Sequence, residues 1–385
     1  MRRRMVCVLL AAAMAAGEAG EITVRNTDEL RAALRTAGAG AVLQLAPGRY
    51  AGGLHVSNLA GRADAPIIIC ASDPGAPPVF EPPGGTALQL SDCAYLVVRD
   101  LRIRGFSENG LNADDGGSFD TPAQHITFEN LLIENIGPSG NHDALKLSGV
   151  DHFTVRRCTF GGWGGSAIDM VGCHHGVIED CSFMGRSGFS QSSAVQMKGG
   201  TSDMLVRRCF FHDVGERAIN LGGSTGLAYF RPAAGDYEAT RIEVAGNRFV
   251  GGVTPIAWVT AAGGRFHHNT IVFPERWILR ILQETRNPRF QPCHDGVFEH
   301  NLIVYDRRVE TFVNVGPGTK PESFVFRGNA WYATEGARRP TLPTAEDDGV
   351  YQVDPRLEEA RSSRSRVTSR DARLVGKGAD GYMAP

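Results

Sequence analysis

The chain has 385 residues and a formal charge of −2, from 40 Lys plus Arg against 42 Asp plus Glu. Near-neutral charge excludes a global field for nucleic acid, so an anionic partner needs a local basic patch. The length is well above the ~150 residues usual for one globular core, a limit that a core growing along one axis escapes.

Residues 1–20 read as a secretory signal. Arg2, Arg3 and Arg4 precede an apolar run, Met5 to Ala16, that is too short to span a bilayer. Small residues from Ala16 to Gly20 offer a cleavage site. No later apolar run reaches membrane length, so the mature chain is expected to be secreted or periplasmic, with no membrane partner. Cys7 falls in the signal. The other seven cysteines are an odd number, which forbids complete internal pairing.

Residues 27–38 predict an amphipathic helix. Thr27 can cap it, Leu30, Ala33 and Leu34 share one face, and Gly38 can end it. Such a helix would cover the open end of a stack. Strands are expected at Val42 to Leu45 and at Ile67-Ile68-Ile69, with Pro-Gly turns around them.

From residue 91 to about 335 a unit repeats. Its opening column is Leu101, Leu131, Cys158, Cys181, Cys209, Asn247, Asn269, Asn301 and Asn329. Its closing column is Ile103, Ile133, Phe160, Phe183, Phe211, Phe249, Ile271, Ile303 and Trp331. Most steps are 22 to 32 residues, and one is 38. Short strands at this period predict an all-β solenoid, a single-stranded parallel β-helix with an N-terminal capping helix. It is assigned residues 21–335 and expected to be monomeric. The asparagines should form an interior amide ladder. The cysteines of the column should be buried thiols, with a disulfide between two of them the alternative. Insertions at 105–123, 184–193, 222–240 and 283–295 are loops. Residues 336–385, charged and Arg- and Ser-rich, predict a strand or two and an irregular tail.

A second column follows the first. The strands Gly-Leu-Asn-Ala (110–113), Ala-Leu-Lys-Leu (144–147), Ala-Ile-Asp-Met (167–170), Ala-Val-Gln-Met-Lys (194–198) and Ala-Ile-Asn-Leu (218–221) alternate apolar and polar residues. With the apolar set inward, Asn112, Lys146, Asp169, Gln196 and Asn220 face out. Counting on by eleven adds Trp258 and Arg280, and the next coil offers Asn314. A polar outer face is ordinary. However, two of the four lysines, Lys146 and Lys198, lie here, and long insertions flank the face. Trp258 would suit stacking on a sugar ring or packing beneath the 222–240 loop.

These repeats resemble the right-handed parallel β-helix of the pectate-lyase-like superfamily over residues 22 to about 335. The carriers are Thr-Asp-Glu-Leu-Arg-Ala-Ala-Leu…Leu-Ala-Pro-Gly-Arg-Tyr (27–50), Asn-x-Ile units such as Asn269-Thr270-Ile271, and Gly-Asn-Ala-Trp-Tyr (328–332). The order of elements is similar to polysaccharide lyase family six, the alginate and dermatan lyases. In that family a lysine ends one strand and an arginine ends the equivalent strand of the next coil. Lys198 matches the lysine, whereas Gly222 stands at the arginine position. The family's calcium-holding glutamates fall near Gln191 and Ser193, a second departure. Arg217, Arg231 or Arg280 would have to replace the arginine.

The resemblance implies an acidic polysaccharide as partner and β-elimination as the reaction. A cation neutralises the uronate carboxylate, a base takes the C5 proton, and an acid assists the leaving oxygen. Lys198 is the expected base, with Arg217 or Arg280 as neutraliser and Lys146 fit for either role. His142, beside Asp143, is an alternative base. Asp143, Asp169, Asn112, Gln196, Asn220, Arg231 and Trp258 are the expected substrate contacts. Asp114, Asp115 and Asp120, with Asp143, could hold calcium. Two further readings stay open: hydrolysis by Asp114, Asp115 and Asp169, and glycan binding without catalysis.

Overall fold

The computed structural model describes residues 18–118, 123–335 and 339–384. The expected signal through residue 17, and Asp120, lie outside them. The chain visits three parallel sheets in turn, of 15, 12 and 10 strands, each coil stacking on the one before. The only antiparallel pair among the described strands is the hairpin Leu357–Glu358 with Arg366–Val367.

The first strand, Glu18–Val24, pairs with Ala37–Leu45 and so begins inside the last residues assigned to the signal. The helix runs Thr27–Thr36, and Leu30, Ala33 and Leu34 are buried as expected. Its cap is Asn26 rather than Thr27: the Asn26 side chain accepts from Glu29 N. The Thr27 hydroxyl instead accepts from Ala51 N at 2.8 Å, tying the helix to the first coil.

The repeated column lines the interior. Asn269 Oδ1 accepts from Asn247 N and Nδ2 at 2.9 and 3.0 Å, and Asn269 Nδ2 donates to Val244 O. Asn301 and Asn329 repeat this, and Glu346 closes the ladder. Each buried amide thus satisfies groups on the coils above and below it. Phe160, Phe183, Phe211 and Phe249 stack with centroids 4.6 to 5.0 Å apart, close to the ~4.8 Å strand spacing. The seven cysteines are free and buried, and burial pushes the Cys173 and Cys293 thiols up to about 12.

Beyond residue 335, Glu346–Asp347 and Val350–Tyr351 add one more rung to two of the sheets. The tail then folds back along the stack. Ala379 N donates to Thr270 Oγ1, Gly378 N to His300 O, and Asp380 pairs with Arg248.

Candidate functional site

The outward column exists as a register. Asn112 pairs with Lys146, Lys146 with Asp169, Asp169 with Gln196, and Gln196 with Asn220. The next positions are Ala257, Arg280 and Asn314. Two members before Asn112, His55 and Gln89, complete it.

Trp258 is a correction. It pairs with Leu221 and Ile281, points inward and has no exposed surface. Its indole N–H donates to Gly263 O at 3.0 Å, and its ring meets Phe324 edge-on. The turn into Ile256–Val259 is one residue shorter than its counterpart before Arg217–Gly222, as the pairing of Ile256 with Ile219 shows. A one-residue slip exchanges the two faces of a strand.

Four charged side chains interlock on this face. Lys146 Nζ lies 2.8 Å from Asp143 Oδ2 and 2.9 Å from Asp169 Oδ2. Lys198 Nζ lies 2.9 Å from Asp169 Oδ1, an ion pair without hydrogen-bond alignment. Both carboxylates are fully buried beneath the ammoniums. Asp143 also accepts from Ser166 N. Burial, then the charge of Asp169, raises the Asp143 pKa. Burial opposes the charge of Asp169 too, but Lys198 and Lys146 outweigh it and hold that carboxyl below its usual range. For Lys146, burial is outweighed by Asp169 and Asp143, so its pKa is raised. Lys146 is therefore a fixed cation, not a base.

The two lysines floor a cleft of about 550 Å³, walled by Asp115, Tyr229 and Arg231 among others. The strand bearing Lys198 turns sharply at Gly199 and Gly200, both at positive φ. A Cβ on Gly200 would lie 2.3 Å from Arg231 O. The 222–240 insertion forms one wall and is pinned twice. Arg231 makes a two-pronged pair with Asp151, at 2.7 and 2.6 Å, and His174 Nδ1 lies 3.1 Å from the same carboxylate. Glu238, fully buried, accepts from Gly199 N, Thr225 N, Thr225 Oγ1 and Thr285 Oγ1. It joins both loops to the Lys198 turn. The tip of this fixed loop leaves Tyr229 69% exposed at the cleft.

Several expected roles change. Arg231 is a loop anchor, because its fork is occupied by Asp151. Arg217 opens its strand opposite Ser193, five residues from the level of Lys198, and pairs with Glu284 at 2.6 Å. Arg280 lies two rungs further and donates to Asn314 Oδ1. Neither lines the lysine cleft. Gly222 cannot carry the arginine of the lyase pattern, since its φ is +102° and a Cβ would lie 1.8 Å from Val259 O.

His142 packs over Gly137 and does not line the cleft. Asp114 accepts from Gly116 N and from the Gln89 amide, and Asn112 donates to Gln89 Oε1. Asp115 accepts from Gly117 N. These carboxylates organise their own turn and serve different neighbours. Gln191 spends its amide on the Arg186 and Phe189 backbone, and Ser193 is buried. Among the described residues, no three His, Cys, Asp or Glu side chains converge as a metal site.

Glu238 and Tyr229 escaped the sequence reading. Both lie inside an insertion with no repeat to align them. The stretch carries two acids, Asp236 and Glu238, and three aromatics, Tyr229, Phe230 and Tyr237, among small residues, with nothing in the sequence to single out two of them.

The chain is a right-handed parallel β-helix. The family described as right handed beta helix region matches residues 86–272. The fold is similar to an alginate lyase from Paenibacillus sp. str. FPU-7, at 15% identity and TM-score 0.52, over 79% of this chain and 98% of that one. It is also similar to pectate lyase Pel9A, at 12% identity and TM-score 0.53, over 80% of both chains. A third likeness is the PL6 family alginate lyase AlyGC, at 12% identity and TM-score 0.51. It covers 93% of this chain but only 57% of that enzyme. No curated protein matches the chain in sequence.

Proposed function

We propose that this is a secreted, carbohydrate-active protein that cleaves a uronate-containing polymer by β-elimination at the lysine cleft. The observation that carries the reading is the pair of ammoniums, Lys146 and Lys198, side by side on the cleft floor. In this reading Lys146, held charged by two buried carboxylates, pairs with the substrate carboxylate and acidifies C5. Lys198, with one carboxylate partner, takes the C5 proton; the C4–C5 double bond forms as the C4–O bond breaks, and the departing oxygen takes a proton from water. Tyr229 offers an aromatic face to a sugar ring. Two proteins of similar fold, an alginate lyase and a pectate lyase, agree with this reading.

Hydrolysis is less well supported. Asp115 and Asp169 border the cleft, but both Asp169 oxygens are covered by lysines. A glycosidase acid must reach the glycosidic oxygen. One observation favours binding without catalysis: the Asp169 carboxylate holds Lys198 in an ion pair at 2.9 Å.

Alginate, polygalacturonate and dermatan sulfate, incubated in turn with the protein, test the proposal. Rising absorbance near the ultraviolet edge, from the unsaturated product, is expected with at least one. New reducing ends without that absorbance would establish hydrolysis instead. Retained binding with neither signal would leave a glycan-binding protein.

A further inference from the structure

One to three rungs beyond the Lys198 coil the same sheet carries a second cationic group. Arg280 stands in the outward column, and Arg217 opens the strand two coils before it, with its Nη1 donating to the outward Asn220 Oδ1 at 3.5 Å. Between Asn220 and Arg280 the outward residue is Ala257, which projects little into the space. Arg280 reaches Asn314 through Nε. Its guanidinium carbon lies 4.4 Å from the centre of the Trp277 ring, and that of Arg276 lies 4.2 Å from it. Both are within cation–π range.

The charge here is only partly neutralised. Glu284 pairs with Arg217, and Glu216 lies nearby. Among the described residues no carboxylate forms an ion pair with Arg276 or Arg280. Arg217 Nε is buried without a hydrogen-bond partner. Burial, then the charge of Arg217, pulls Arg280 below its ordinary range, the sign of cations crowded together. Guanidiniums fixed against an aromatic plane are preorganised for a planar carboxylate.

We propose that Arg280 and Arg276, with Arg217, form a second anion subsite that takes a further carboxylate of the acidic sugar chain held at Lys146 and Lys198. The inference rests on the polymer reading given above. From the Lys198 coil to the Arg280 coil is three rungs, roughly 14 Å at the ~4.8 Å strand spacing. A chain of several sugars therefore spans both sites, and a short oligomer fills one only.

Trp277 supplies a local reporter. The chain has four tryptophans, and Trp163, Trp258 and Trp331 are buried. Alginate and polygalacturonate oligomers of graded length are titrated while tryptophan emission and affinity are followed. Long oligomers should change the emission, and Trp277→Phe should abolish the change while binding persists. The double variant Arg276→Ala/Arg280→Ala should weaken long oligomers by about tenfold and leave short ones unaffected, since only the long chain uses both sites. Arg276→Ala alone, on an exposed residue, should weaken long oligomers in the same direction without risk to the fold. Lys198→Ala should weaken both lengths. Unchanged long-oligomer affinity in the double variant, or a bound long oligomer that leaves the emission unmoved, overturns the subsite alone. Failure of the wild type to bind any acidic oligomer overturns the polymer reading and the subsite together.

Discussion

Lys198 Nζ lies 2.9 Å from Oδ1 of Asp169, a carboxylate with no exposed surface of its own. The contact couples the cleft floor to the packing beneath it. The Lys198 side chain is itself largely covered, so its removal also leaves Asp169 Oδ1 without its ion-pair partner. In the lyase reading, Lys198→Ala should lower turnover by at least about 10²-fold, the usual share of a positioned proton-transfer group. Product absorbance measures this, and a far-ultraviolet spectrum identical to wild type shows that the fold is retained.

Lys146 behaves differently, because it neutralises two buried carboxylates at once. Lys146→Ala leaves Asp143 without a cation and Asp169 with Lys198 alone. Breaking a buried pair in this way costs about 3–5 kcal/mol. Urea unfolding should show the loss. Adding Asp143→Asn should recover part of it, because the stranded charge is gone.

Position 222 tests why this chain departs from the lysine–arginine pattern. Gly222→Arg restores the missing residue type but meets the Val259 carbonyl. It should destabilise by roughly 3 kcal/mol or more, through a strained backbone and a clash, without raising activity. A thermal melt together with the product assay checks both halves.

Much of this architecture can be read from the residues. The steps from Leu101 to Cys209 vary from 23 to 30 residues, but each apolar–polar strand follows its anchor by a short, similar interval, so alternation places the Asn112 to Asn220 column. Counting fails at Trp258 because one turn is shorter by a single residue, which periodicity alone does not reveal. Asn26 was missed as the helix cap because two adjacent residues both suit the position. The Asp143–Lys146–Asp169–Lys198 chain depends on how side chains lean across neighbouring coils, a property of packing rather than of spacing. Arg231 and Glu238 sit in an insertion, where no repeat constrains the reading.

The loop over the cleft should depend on its anchors. Asp151→Asn leaves the Arg231 fork with a neutral partner. The loss of a charge-assisted contact is about 2 kcal/mol, confined to the loop. Limited proteolysis should cut first within residues 222–240, with the global melting temperature little changed.

Acid should loosen the C-terminal tail before it unfolds the stack. Burial, then His267 and His300, pulls His268 down to about 4, and His267 and His300 are lowered too. The unfolded chain binds these protons near 6.5, so it takes them first as pH falls. The stabilisation is complete above pH 6.5 and is lost as pH falls towards 4. Discounted for partial exposure, it amounts to about 1–2 kcal/mol. Tyr382 packs against His268, and Lys377 Nζ lies 3.5 Å from His300 Nδ1. Amide exchange over residues 372–384 should therefore accelerate between pH 7 and 4.5, and His268→Asn should flatten the pH dependence.

The lysines sit on strands Leu145–Ser148 and Ser193–Lys198, with further coils of the same sheet on both sides. A linear array held by nearest neighbours wears away from its extremities. Warming or trimming that erodes the outermost turns therefore reaches the reactive groove late, and partly eroded molecules should keep working.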